Sequence, residues 1–190
     1  MHQLTILLPA IKAFDSTAKG IEAYLSLGTN EFYCKNSRNF KINIKGVVMI
    51  KSLHSYLAYL VLLLLLLAVY RALYGVISKK EYTPKMFQVA LFTLIVTHIQ
   101  LLIALLLYFT STRFSVWFDL GISEVMRIPV HRLYLVEHPL VNILAVVLIT
   151  RGYSRHKKKR LSNPKYKTLA VHYTIALILI LLRIPWNAWI

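Results

Sequence analysis

Four stretches of this chain stay apolar for the length of a membrane-crossing helix, and polar, mostly basic links separate them. The stretches cover about 53–77, 87–109, 133–150 and 168–186, and the first contains six consecutive leucines, Leu62 to Leu67. About 20 apolar residues wound as a helix cross roughly 30 Å of hydrocarbon. Backbone groups in lipid must be bonded within the segment, so each stretch is expected to be a helix. None alternates apolar and polar with period two, which argues against barrel strands. Short links between successive helices favour antiparallel neighbours. The expected fold is therefore all-α, a transmembrane four-helix bundle of up-down-up-down topology.

Residues 1–48 differ from the rest. Their apolar run 4–11 is short, is broken by Pro9 and has no charged segment before it, so it does not read as a signal peptide. We expect 1–48 to be an extramembrane leader, and translation of the working protein to begin at Met49. Lys35, Arg38, Lys41, Lys45 and Lys51 would otherwise draw the start of the first span to the cytoplasm, against the charge of the links that follow.

Charge sharpens this topology. The formal net charge is +16, and eight of the basic residues fall in 151–167: Arg151, Arg155, Lys157, Lys158, Lys159, Arg160, Lys165 and Lys167. The link 78–86 sets Lys79, Lys80 and Lys85 against Glu81. Basic short links stay in the cytoplasm, so both are expected there. The placement explains the charge without a nucleic-acid partner and favours anionic headgroups as neighbours. The link 110–132 is nearly balanced, carries Trp117 and Phe118 as interface anchors, and is expected outside, partly as a helix on the membrane surface. The single cysteine, Cys34, rules out an internal disulfide, and no Cys-x-x-Cys-His occurs for covalent haem attachment. No nucleophile elbow, phosphate loop or acidic metal cluster is present, so an electron carrier fits better than a catalyst.

Each span carries one histidine: His54, His98, His138 and His172. An ionisable group inside a bilayer is expensive and asks for a partner. At about 1.5 Å per residue, His54 lies at the outer edge, His138 roughly 8 Å in, His98 about 16 Å and His172 about 20 Å in. In the expected bundle His54 and His138 form an outer diagonal pair, and His98 and His172 a deeper one. Two imidazoles facing each other at one depth are what a bis-histidine haem needs. Counted from the other membrane face, His98 is about 16 Å deep and His172 only about 6 Å, so the deeper pair is poorly matched by these boundaries. Tyr134, His138 and Asn142 form one polar stripe. Thr97 and Gln100 flank His98, Ala176 shares the face of His172, and Arg132 and Arg183 stand near the outer ends, placed for porphyrin carboxylates or as interface anchors. Two readings stay open: all four histidines ligate haem iron, or they pack and relay protons in a non-catalytic scaffold or subunit. His131 and His156 fall in links and are expected in water.

The residues Lys-Ser-Leu-His54-Ser, Thr-His98-Ile-Gln-Leu-Leu-Ile-Ala, Val-Glu-His138-Pro, Leu-Ile-Thr-Arg-Gly-Tyr-Ser-Arg-His-Lys-Lys-Lys, and His172 followed by Arg-Ile-Pro-Trp carry a resemblance. Over about 49–186 the chain resembles a family of small bacterial four-helix membrane proteins commonly labelled cytochrome b. The resemblance implies haem b as cofactor and electron transfer with a quinol or a redox protein as partner. It leaves the number of haems and a homo-oligomeric state open.

The charge asymmetry predicts that a cysteine placed at Ser154 is protected from an impermeant thiol reagent in intact spheroplasts. Labelling at that position would reverse the topology.

Overall fold

The computed structural model describes residues 44–188. The chain divides into two units, 1–45 and 46–190, and the second is the bundle. The expectation that 1–48 is a dispensable leader falls almost wholly outside the described residues. Among the described residues there is no strand. Four long helical segments dominate: α1, Ile44–Ile77; α2, Pro84–Thr110; the run Pro129–Lys157; and the final helix Ser162–Arg183. Each is long and apolar enough to cross a membrane, and the chain is an all-α, multi-pass membrane bundle.

The link after α2 is a series of short helical pieces: a 3-10 turn at Thr112–Ser115, α3 (Val116–Asp119), α4 (Gly121–Arg127) and α5 (Pro129–Arg132). A π-helical turn, Leu133–Glu137, then leads directly into α6, His138–Lys157. The last helix, Ser162–Arg183, is α7. Pairings across the bundle fix its topology. Gln100 meets His54 while Thr93 meets Leu64, so α1 and α2 run antiparallel. Gly152 meets His172 while His138 meets Arg183, so α6 and α7 do the same. Going round the bundle the order is α1, α2, α6, α7, which leaves α1 diagonal to α6 and α2 to α7. We call the face with the links 78–83 and 158–161 the basic end, and the face with 111–137 the cap end.

Two boundaries differ from expectation. The third span continues past 150 to Lys157, and the fourth starts at Ser162 rather than 168. The polybasic link thus shrinks from 151–167 to the turn 158–161. Arg151, Arg155, Lys165 and Lys167 stay on helices because their long apolar stems let the charged heads reach water from a wound backbone. The helix is also the cheapest way to satisfy their amides near lipid. Pro164 is in the first turn of α7, where its missing N–H costs nothing. At the start of α2, Thr83 caps the helix by accepting from the Met86 amide, with Pro84 at the first helical position.

The core is concentrated toward the basic end. It is built of Leu65, Ala68 and Ala72 of α1, Met86 and Ala90 of α2, Ala145 and Ile149 of α6, and Leu169, Tyr173 and Ala176 of α7. Small residues recur because helices in lipid gain from close backbone approach rather than from hydrophobic exclusion. Among the described residues of α1 before Val61, of α2 after Thr97 and of α6 before Ala145, none is fully buried. α6 and α7 approach closely. A Cβ on Gly152 would lie 2.7 Å from His172 Cβ and 3.2 Å from a Tyr173 ring carbon. Tyr173 reaches across the diagonal, its hydroxyl donating to the Ala90 carbonyl at 3.1 Å.

Gly152→Ala therefore forces these helices apart. It is expected to destabilise the bundle by about 1–3 kcal/mol, the range for overpacking, and to lower the thermal midpoint in detergent, whereas Ser154→Ala on the exposed face leaves it unchanged. Equal midpoints for the two variants would show that the α6–α7 contact is not tight.

Candidate functional site

The four intramembrane histidines fall at two levels. At the cap-end level, His54 of α1 and His138 of α6 face each other across the diagonal, with ring centroids 6.4 Å apart and planes at 77°. Two imidazoles bound through one nitrogen each to a common metal have centroids roughly 6 Å apart, since such bonds run about 2 Å. At the other level, His98 of α2 contacts Thr150 of α6, and His172 of α7 lies against Gly152 of α6. Those two contact points are about 3 Å apart along α6. With α7 beginning at Ser162, His172 sits at mid-helix, as His98 does in α2, which removes the depth mismatch expected from the sequence boundaries. His98 and His172 make no ring contact with each other among the described residues. The two levels are about 18 Å apart, from His138 to Thr150.

What each ring nitrogen does decides what it can still bind. His98 Nδ1 donates to the Leu94 carbonyl at 2.8 Å, and His172 Nδ1 donates to the Thr168 carbonyl at 2.8 Å, each one helical turn back. His138 Nδ1 lies 2.8 Å from the Arg183 carbonyl of α7. A carbonyl only accepts, so His98 and His172 carry a proton on Nδ1 and, as neutral imidazoles, present Nε2 as a lone pair. That is the tautomer a metal-binding imidazole takes when its other nitrogen is held by a carbonyl. At His138 the Asn142 amide nitrogen, a donor, also lies 3.2 Å from Nδ1, so that nitrogen stands between an acceptor and a donor. His98 is the sharpest case. Its Nε2 is 3.4 Å from Thr150 Oγ1, whose own proton goes to the Val146 carbonyl at 2.7 Å. A mid-membrane lone pair therefore faces an oxygen with no proton left to give it.

His54 differs. Gln100 Nε2 donates to the His54 carbonyl at 2.9 Å and lies 3.1 Å from His54 Nδ1. In this arrangement Nδ1 accepts, which leaves the proton on Nε2. Gln100 Oε1 is meanwhile buried with no partner. His54 fits a metal through Nε2 only if the Gln100 amide turns so that this orphaned oxygen accepts from Nδ1. The flanking residue thus bonds the histidine of the next helix rather than His98, and Thr97 bonds back to the Thr93 carbonyl.

The arginines near the cap end converge on Glu137. Arg132 Nε lies 2.9 Å and Arg183 a guanidinium nitrogen 3.6 Å from its carboxylate oxygens. Glu137 thus takes charge from the two cations expected to meet a porphyrin carboxylate. In the polar stripe, Asn142 bonds back to the His138 carbonyl, and Tyr134 carries the Arg113 guanidinium 4.1 Å above its ring.

One expectation is overturned. His156, read as solvated, is only 1% exposed and is enclosed by the rings of Tyr82, Phe87 and Tyr153. The reason is the longer α6, which puts position 156 on the inner face of a helix instead of in a loop. Tyr82 Oη and Asn163 Oδ1 are buried without partners, while the His156 ring turns toward the Gly152 and Tyr153 carbonyls. Burial, with Tyr166 and Tyr153 close by, raises the Tyr82 phenol well above its ordinary pKa, so it remains a neutral donor.

Sequence reasoning also missed a relay at the cap end. Pro139 has no N–H, and the Leu135 carbonyl that an amide there would bond in an α-helix receives the Tyr108 hydroxyl instead, at 3.1 Å. Trp117 Nε1 donates to that same hydroxyl at 3.0 Å. The signal was the proline four residues beyond the carbonyl it strands. Among the described residues, no group of three or more His, Cys, Asp or Glu side chains is placed to hold a bare metal ion. Comparison with known proteins matches no family model, no curated protein and no solved structure to this chain.

Tyr108→Phe keeps the shape of the relay and removes its oxygen. It leaves the Leu135 carbonyl and the Trp117 N–H unbonded, at a cost of about 1–3 kcal/mol. The expected readouts are a lower thermal midpoint and altered Trp117 fluorescence; an unchanged midpoint would show that water replaces the phenol there.

Proposed function

We propose that the protein is a b-type cytochrome of the bacterial inner membrane, holding haem b between its spans and passing electrons from a quinol or redox-protein donor to an acceptor. The observation that carries this reading is His98 Nε2, a lone pair in mid-membrane whose nearest polar neighbour has already given its proton away. An imidazole in hydrocarbon with one nitrogen fixed and the other unanswered is poised for a Lewis acid. His172 presents the same tautomer, His138 does so when its Nδ1 donates to the Arg183 carbonyl rather than accepting from Asn142, and His54 joins them once Gln100 turns. Haem, when bound, would supply one-electron chemistry, with a potential set by the residues that hold it and by the dielectric around it. The chain supplies the rest. Backbone carbonyls of Leu94, Thr168 and Arg183 orient three rings through Nδ1 and leave Nε2 turned away from them. The apolar spans exclude water. The basic links, placed in the cytoplasm, set orientation. The resemblance to the family labelled cytochrome b points the same way.

The second reading, a scaffold or subunit whose histidines pack or relay protons, is favoured by one bond. The Gln100 contact gives His54 Nδ1 a structural use that needs no metal. A reduced-minus-oxidised spectrum and the haem-to-protein ratio of the purified chain separate the two. Haem bands are expected, and His98→Ala should abolish one share of them while the protein still inserts. Adding His172→Ala to that variant should cost nothing more, since either loss breaks the same site. His138→Ala should remove or shift another share, and His54→Ala tells whether the Gln100 bond or a ligand role prevails. An unchanged ratio in His98→Ala discards the ligand assignment, and a parent protein without haem discards the cytochrome.

A further inference from the structure

At the basic end, away from the four histidines read as ligands, a cleft of about 420 Å³ opens between the last turns of α1, the link 78–83 and the first turn of α2, with the Tyr166 ring as part of its wall. Its lining includes Arg71, Lys80 and Lys85, with Glu81 as the one carboxylate. Tyr70 and Tyr74 stack beside them, centroids 6.3 Å apart and planes at 13°. We propose that this cleft binds the phosphate headgroup of an anionic membrane lipid.

Four observations argue for it. The first is Arg71. It sits six residues before the end of α1, about 9 Å toward the membrane centre, and among the described residues it pairs with no carboxylate. A guanidinium at that depth finds its counter-charge at headgroup level or leaves it unmet. The second is the direction of α2, whose capped N-terminus at Thr83 borders the same cleft and adds its partial positive charge. The third is rigidity. The Tyr166 hydroxyl donates to the Glu81 carbonyl at 3.2 Å, and the Tyr82 amide donates to Ser162 Oγ at 3.0 Å, so the link is tied to α7 at two points. Lys80 is held over the Tyr74 ring at 4.8 Å. The Tyr166 ring fits flush because Gly75 lacks a Cβ, which would come within 2.5 Å of it. The fourth is position. The apolar face of α1 leading away from the cleft exposes Leu63, Leu66, Leu67 and Leu73, a surface for acyl chains, while the tyrosines stand where headgroups lie. A soluble phosphate would meet the same cations but would make no use of that apolar surface, and this favours the lipid.

The test uses the purified full chain in detergent. Native mass spectrometry with added phosphatidylglycerol or phosphatidylcholine reads the bound lipid. Phosphatidylglycerol should be retained in preference. Replacing Arg71, Lys80 and Lys85 together with glutamine should weaken its retention by about fivefold for each cation removed, the fold-change equivalent to about 1 kcal/mol per basic residue near a membrane surface. The matched control replaces Lys157, Lys158 and Lys159 with glutamine, an equal loss of charge at the same face, and should weaken retention far less. If the triple change prevents folding, Arg71→Gln against the charge-conserving Arg71→Lys gives the same comparison on one exposed side chain. Equal retention of the two lipids, equal weakening by the pocket and control changes, or no weakening at all overturns the site. Displacement of the lipid by millimolar inorganic phosphate overturns the lipid assignment in favour of a soluble phosphate. None of these readouts depends on haem.

Discussion

Gly152 lets α6 and α7 approach until the backbone of one touches the Cβ of the other's histidine, and much of the bundle is arranged around that contact. It seats the base of His172 against α6 and brings Tyr173 deep enough for its hydroxyl to reach α2 on the far diagonal. It also sets His172 level with the Thr150–His98 contact on the other side of α6. In a soluble protein a glycine in mid-helix is a weakness. In lipid, where helices gain nothing from excluding water, the dispersion energy of a close contact is the main source of cohesion, and a missing side chain is the way to obtain it.

The same shortage of water governs the polar residues of the spans. Thr93, Thr97, Thr150 and Thr168 each turn the hydroxyl back to the carbonyl one turn earlier, as His98 and His172 do with Nδ1. These bonds satisfy donors locally and leave acceptors over. A hydroxyl can leave one lone pair idle at little cost, but an imidazole nitrogen has a single, strongly basic one. The histidines are thus the places where internal accounting in the membrane does not close.

The sequence made the architecture legible because span length and hydropathy follow from bilayer thickness and little else. The ends of the spans were obscured, since Lys and Arg read as loop residues although their stems sit comfortably on helices, and this error alone misplaced His156 and the depth of His172. The facing of His54 and His138 could be reached by counting residues from the links, because a diagonal in a four-helix bundle needs only topology and rise. The tautomers could not. They depend on which carbonyl or amide meets each ring, and the Gln100–His54 bond joins residues whose partnership no local pattern announces. The Trp117–Tyr108–Leu135 relay was hidden for the same reason, although Pro139 marked where a carbonyl would be left free.

The π-helical turn at Leu133–Glu137 places one extra residue per turn immediately before His138. A helix can absorb or release such a residue without breaking, and each exchange rotates everything on one side of it by about 100° relative to the other. The cap-end helices and the span that carries His138 are therefore out of phase by about that angle, and it is this offset that fixes which way the His138 ring faces.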